Sequence, residues 1–215
     1  MTGEIKFTNP RIIDHSLVQH KLTILRDEKT RPKDFREILK EISALMFYEV
    51  TRNISTKITR VKTPLGIARG RIISGKMICL VPILRAGLGM VEGILPLLPQ
   101  CRVGHIGLYR DPKTLLPVDY FIKLPKDVEK RLVILLDPML ATGNSLVEAI
   151  NILKNKNVKR IAYLGILASP EGIKVVKKYH PDVPLYIASV DKRLNSHGYI
   201  IPGLGDAGDR LFGTK

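Results

Sequence analysis

The sequence predicts an α/β fold in which a mostly parallel sheet is flanked by helices. Two observations carry this. Beyond residue 76, short apolar runs of strand length alternate with single segments of helical period, the pattern of successive βαβ units. No repeat, low-complexity tract or linker interrupts the 215 residues, so residues 1–215 are expected to form one domain around one sizeable core.

Taken in order, residues 1–75 are expected to form an N-terminal helical part packed on that core. From Asp34, "DFREILKEISALMFYEVTR" places Phe35, Ile38, Leu39, Ile42, Leu45 and Met46 on one helical face. "GIARGRIISGK" (66–76) is polar and punctuated by glycines. "KMICLVPIL" (76–84) is strand-like and "GLGMVEGILPLL" (87–98) helical. "CRVGHIGLY" (101–109) and "RLVILLD" (131–137) are strands, and a helix is expected over 146–154. "VKRIAYLGILA" (158–168) is a strand, "PEGIKVVKKY" (170–179) a helix opened by Ser169 with Pro170 in its first turn, and "PLYIASV" (184–190) a strand. Residues 111–125, "DPKTLLPVDYFIKLP", break the rhythm with two internal prolines and are expected to form a mobile arm or hairpin.

Composition excludes several classes. An apolar share of 45% with charge mixed along the chain argues against disorder. The start lacks a signal-peptide apolar stretch, and the longest apolar runs are too short to span a bilayer, so a cytoplasmic protein without a membrane partner is expected. Cys79 and Cys101 lie in apolar surroundings without a CxxC pair and read as buried free thiols. The net charge of +15 fits either nucleic acid or small polyanionic substrates. Its scatter over helix ends and loops, without aromatic interleaving, favours the substrates. The five histidines show no metal-ligand spacing, and no protein-held metal is expected.

The chemistry concentrates in "VILLDPMLATGNS" (133–145), a buried strand that ends on an acid and runs into a helix. Ligands of open α/β sheets bind beyond the carboxyl ends of strands. Free N–H groups at a helix start, hydroxyls of Thr142 and Ser145, and close approach at Gly143 suit a phosphate. The absence of lysine excludes a Walker loop. Asp137 would repel phosphate and is better used accepting hydrogen bonds from sugar hydroxyls. Together these imply a ribose 5-phosphate. A second strand-to-helix loop carries Arg85, whose fork matches phosphate oxygens. "GLGDAG" (203–208) matches a dinucleotide fingerprint only formally, because too little chain follows to complete that fold. It reads instead as a rigid surface of backbone donors and acceptors, near which His197 is a loop histidine.

"DPMLATGNS" resembles the phosphoribosyl-diphosphate loop of type I phosphoribosyltransferases, and that of the uracil phosphoribosyltransferases in particular. The resemblance extends to "PILRAGLGM" (82–90), "LYRDP" (108–112), "SPEGI" (169–173) and the tail "HGYIIPGLGDAGDRLFGTK" (197–215), nearly the whole chain. Two departures are Pro138, where many relatives carry a second acid, and Asn144, where glycine is common; asparagine tolerates the left-handed region.

The resemblance implies transfer of phosphoribose from 5-phosphoribosyl 1-diphosphate (PRPP) to uracil, giving UMP and diphosphate. It implies that Arg85, Arg110, Asp137 and Asp206 carry the reaction, and that Pro138, Met139, Leu140, Ala141, Thr142, Gly143, Asn144 and Ser145 complete the PRPP site. It further implies that Ile200, Gly205, Asp206 and Ala207 contact uracil in a base-binding hood over 195–215. Arg110 stands at the base of the arm and would reach the diphosphate on closure. Magnesium would arrive with PRPP, which suits the missing second acid. A GTP effector near Thr30, Arg31 and Lys33, and a homo-oligomer (dimer or tetramer), are further implications. A phosphoribosyltransferase for another base, or an RNA-binding regulator on the same fold, are the alternatives.

Overall fold

Alternation along the central strands divides the interior into two apolar layers, one on each face of the sheet. The computed structural model describes residues 10–74, 78–110 and 117–214. It begins with β1 (Arg11–Ile12), α1 (Ser16–Arg26), α2 (Pro32–Val50), β2 (Thr56–Thr63) and β3 (Gly66–Ile73). Next come β4 (Ile78–Leu84), α3 (Leu88–Ile94), β5 (Arg102–Val103), β6 (His105–Arg110), β7 (Pro117–Lys123), β8 (Leu132–Leu136) and β9 (Met139–Leu140). The chain continues through α4 (Asn144–Asn155), β10 (Arg160–Ala168), α5 (Pro170–Tyr179) and β11 (Leu185–Val190). It closes with β12 (Arg193–Leu194), β13 (Ile200–Ile201) and α6 (Ala207–Phe212).

The main sheet runs β1-β11-β10-β8-β4-β6-β7, with β5 also on β4 and β9 also on β10. All of its pairings are parallel except β6 with β7. In β4, β8 and β10, Ile78, Leu80, Ile134, Leu136, Ala162 and Leu164 face the layer covered by α1, α2, α3 and α6. Their neighbours Cys79, Val81, Val133, Leu135, Ile161 and Tyr163 face the layer covered by α4 and α5. Strands buried on both faces are apolar throughout, which is why they were legible as continuous runs. The thiols of Cys79 and Cys101 are buried, and burial pushes each up to about 11. No helix among the described residues is long and apolar enough to cross a membrane.

Several expectations change in detail. The helix at 87–98 is confined to Leu88–Ile94, and the N-terminal part, expected to be helical, also contains strand β3. That strand pairs with β2 in a separate two-stranded ribbon. Ser16–Arg26 is a helix in its own right, held at its start by His15, whose ring accepts the Leu17 N–H. Within 111–125, β7 pairs back on β6, while 111–116 and the side chain of Arg110 lie outside the described residues.

Helix α3 packs on α2 at Gly93, where an added Cβ would overlap the main-chain carbonyl of Lys40. Backbone cannot step aside as a flexible side chain can. Gly93→Ala is therefore expected to destabilise the protein by about 1–3 kcal/mol, read from the shift in a urea unfolding midpoint. An unchanged midpoint would show that the helices are free to separate there.

Candidate active site

Strands β4 and β8 are adjacent, and the sheet grows outward from them in opposite directions, to β6 and β7 on one side and β10 and β11 on the other. Their carboxyl ends therefore open a crevice at the switch point. The loop after β4, Arg85 to Gly87, folds back so tightly that a Cβ on Gly87 would run into the Leu136 carbonyl at the end of β8. The loop after β8 carries Asp137 and Pro138, adds β9 beside β10, and reaches α4 through Gly143.

Gly143 caps α4 with a left-handed backbone (φ 85°, ψ −17°), so the helix begins at Asn144, earlier than expected. The left-handed residue of the loop is thus glycine, and the tolerance expected of Asn144 is not called on. Asn144 and Ser145 occupy the exposed first turn, where main-chain N–H groups lack partners within the helix. The first turn of α5 locks this loop from behind. Ser169 accepts the Gly172 N–H at 2.8 Å, as its capping role predicts, and its hydroxyl also donates to the Ala141 carbonyl at 2.6 Å. A Cβ on Gly172 would strike that same carbonyl.

Asp137 is drawn inward. Its carboxylate accepts the Met139 N–H at 3.3 Å, and burial outweighs that bond, pushing the carboxyl up to about 7. Its main-chain carbonyl accepts the Tyr163 hydroxyl at 2.8 Å. Tyr163 was missed in the sequence. Its signal was a lone phenol in an apolar strand, which must find a partner when buried. Gly165, two residues on, leaves room for that ring, since a Cβ there would overlap the phenol.

The tail closes the crevice. β12 and β13 pair antiparallel, and the Asn195 side chain accepts N–H groups of His197 and Tyr199 at 3.0 and 2.9 Å. Gly203 and Gly205 adopt left-handed backbones (φ 63° and 79°). Asp206 then caps the short helix α6, its carboxylate accepting the Asp209 N–H at 2.9 Å. This helix was not foreseen in a segment read as glycine-rich surface. Between tail and sheet lies a cleft of about 320 Å³. Ala86, Asp137, Met139 and Ala141 line one side, and His197 to Ile200 with Gly205 to Gly208 the other.

The structure thus brings Asp137, Met139, Ala141, Ile200, Gly205, Asp206 and Ala207 together around one cavity. Arg85, next to Ala86, is exposed; its guanidinium lies 3.8 Å from the Asp209 carboxylate and 5.7 Å over the Phe212 ring. Thr30, Arg31 and Lys33 do not join the cleft. They form the junction of α1 and α2, where Arg31 and Lys33 are exposed.

Comparison with known proteins finds likeness over nearly the whole chain. Residues 12–214 match the family described as uracil phosphoribosyltransferase. A uracil phosphoribosyltransferase of Dictyoglomus turgidum is 63% identical over 204 residues, covering 95% of this chain and 99% of the relative. One from Bacillus cereus is 58% identical, covering 95% and 98%. A solved protein of Aquifex aeolicus superposes with a TM-score of 0.88 at 38% identity, over 95% of this chain and 98% of its own. A hypoxanthine-guanine phosphoribosyltransferase of Bacillus anthracis, at 13% identity and TM-score 0.50 over 72% of this chain and 78% of its own, shares the fold.

The state of Asp137 sets a measurable pH dependence. Its folded pKa is raised, so its contribution to stability is fully present below about pH 4 and is lost as the pH rises through about 7. Asp137→Asn removes that cost. The ligand-free variant is expected to exceed the unmodified protein in stability at pH 8 by on the order of 2 kcal/mol, with the difference vanishing near pH 4. Denaturant unfolding at the two pH values checks it; a variant less stable at pH 8 would show that the buried carboxylate is compensated.

Proposed function

The chain belongs to the uracil phosphoribosyltransferase family, and from that premise we propose that it makes UMP and diphosphate from uracil and PRPP, a salvage reaction, in the cytoplasm. The single observation carrying the proposal is the cleft, which sets the backbone-lined tail opposite the Asp137 loop.

In this reading the 5-phosphate sits at the start of α4, among Thr142, Gly143, Asn144 and Ser145. Met139 and Ala141 wall the ribose; Pro138 and Leu140, assigned to the same wall by resemblance, are buried behind it, their carbonyls accepting the Leu167 and Ser169 N–H groups. Asp137 accepts its hydroxyls, and those donors replace the water that burial removed. Uracil lies against Ile200, Gly205, Asp206 and Ala207, and a ring nitrogen attacks the anomeric carbon with inversion as diphosphate departs. The protein orients the partners, excludes water and meets the departing charge with Arg85 and Arg110. Arg110 and residues 111–125 close over the diphosphate, which protection from limited proteolysis by the two substrates together would register. Asp137 and Asp206 are the carboxylates lining the cleft, a sparse donor set that fits magnesium already wrapped in phosphate oxygens rather than one caged by protein. When bound, that ion neutralises diphosphate charge.

Base choice tests the reading most directly. Cytosine exchanges a uracil acceptor for a donor, leaving polar groups of a close-fitting site unpaired. Uracil should exceed cytosine by at least about a hundredfold in kcat/KM, measured by diphosphate release. Comparable turnover of cytosine or a purine would sink the assignment.

A homo-oligomer is also proposed, supported by the β2–β3 ribbon. Ile58, Leu65 and Ile67 there are exposed, Leu65 completely, and a lone two-stranded ribbon is marginal in water. Arg60 stands directly opposite Arg69, so the surface covering this ribbon should carry acidic groups. Light scattering should give a multiple of 24.1 kDa for the unmodified chain and a lower mass for the pair Leu65→Asp with Ile67→Asp. A monomeric unmodified protein would refute it. The exposed Arg31 and Lys33, with Thr30, are proposed to take GTP as an effector, which stimulation of diphosphate release by GTP would register.

A further inference from the structure

The loop from Gly203 to Asp206 faces the base site and is gripped from behind by two arginines. Arg26, at the end of α1, makes a forked pair with Asp191 and donates to the Gly203 carbonyl at 2.8 Å. Asp191 is buried and returns the grip by accepting the Gly203 N–H at 2.8 Å. Both polar groups of one residue are thereby tied to a single ion pair.

Arg210, within α6, holds the carbonyl of the next residue. Its guanidinium donates to the Leu204 carbonyl at 2.9 Å and to Leu25, Asp27 and Thr30 carbonyls at 2.8, 2.6 and 3.4 Å. The last three belong to the end of α1 and the turn beyond it, where the dipole of the helix favours a cation; the Asp27 carbonyl also accepts the Thr30 N–H at 3.0 Å. The same guanidinium lies 4.6 Å over the Phe35 ring of α2. Its Cδ is the heavy atom nearest to where a Cβ on Gly205 would stand, at 3.8 Å. One planar fork thus references the loop to two helices of the core.

We propose that Arg210, acting with the Arg26–Asp191 pair, is the positioning residue of the base-reading loop. It sets the register of Leu204 and Gly205 against the cleft, and so sets base affinity and base choice without touching the base. Neither arginine lines the cleft. The inference rests on the uracil reading and adds to it the device that holds the reader in place.

A lysine keeps the charge and much of the stem but cannot present a planar fork to carbonyls on two sides. The test compares Arg210→Lys with Arg36→Lys in the full chain. Arg36 also holds α6, by donating to the Leu211 carbonyl at 2.8 Å, but makes no hydrogen bond to the loop among the described residues. Uracil KM, kcat, the uracil-to-cytosine ratio of kcat/KM, and calorimetric PRPP affinity without uracil would be measured. Arg210→Lys should raise uracil KM and narrow the uracil-to-cytosine ratio, each by about tenfold, with PRPP affinity within about threefold of unmodified. Arg36→Lys should leave the ratio unchanged. A loss of PRPP affinity in parallel with the rise in uracil KM would overturn the proposal, as would an unchanged ratio in Arg210→Lys or an equal shift in Arg36→Lys. An unmodified protein that releases diphosphate from PRPP with another base but not with uracil would instead remove the parent reading, and this inference with it.

Discussion

Gly87, Gly143 and Gly172 stand where main chain meets main chain, and the cleft depends on how closely those segments approach. A methyl group on Gly87 would enter the Leu136 carbonyl, and one on Gly172 the Ala141 carbonyl. On Gly143 it would come within 2.7 Å of the Gly172 carbonyl. The loop after β4, the loop after β8 and the first turn of α5 therefore interlock by backbone contact alone. Ser169 closes the set, bonded to both Ala141 and Gly172. A loop held this way is ordered before any ligand arrives, so little conformational entropy is left to lose on binding.

That order has a local cost, and it falls on Asp137. The carboxyl sits at the end of a buried strand with one hydrogen bond from Met139 to offset its desolvation. Stability alone would favour a neutral residue there. A group that is poorly solvated in the empty site gains most when donors arrive, so under the proposed function the same burial that weakens the fold would strengthen recognition of a diol. Tyr163 supports this arrangement from the other side of the peptide, fixing the Asp137 carbonyl while leaving the carboxylate to the cleft.

The parts that sequence made legible are those whose burial is local and periodic. β4, β8 and β10 lie between two apolar layers and read as apolar runs; α2 shows one face; the loop from Asp137 to Ser145 joins strand to helix. What escaped either lacks a buried face or depends on partners distant in the chain. β2 and β3 bury little, and cations at Arg60, Lys62, Arg69 and Arg71 hide their alternation. Helix α6 is six residues long and begins on Asp206, whose capping role competes with the binding role that resemblance gave it. Gly205 lines the cleft, and the stem of Arg210 is the nearest group a Cβ there would meet. The positive φ of Gly205 explains the glycine.

Charge count misleads for a related reason. A net +15 suggests a cationic surface awaiting a polyanion, but several arginines are committed to the fold. Arg131 is buried against Asp127, Arg26 pairs with the buried Asp191, and Arg36 and Arg210 spend their donors on main-chain carbonyls of the tail and of α1. A guanidinium that already satisfies carbonyls has few donors left for phosphate. The arginines suited to an anionic ligand are those at the crevice, of which Arg85 is exposed and only loosely held, 3.8 Å from Asp209. Position and prior commitment, rather than the sum of charges, therefore decide which cations meet substrate.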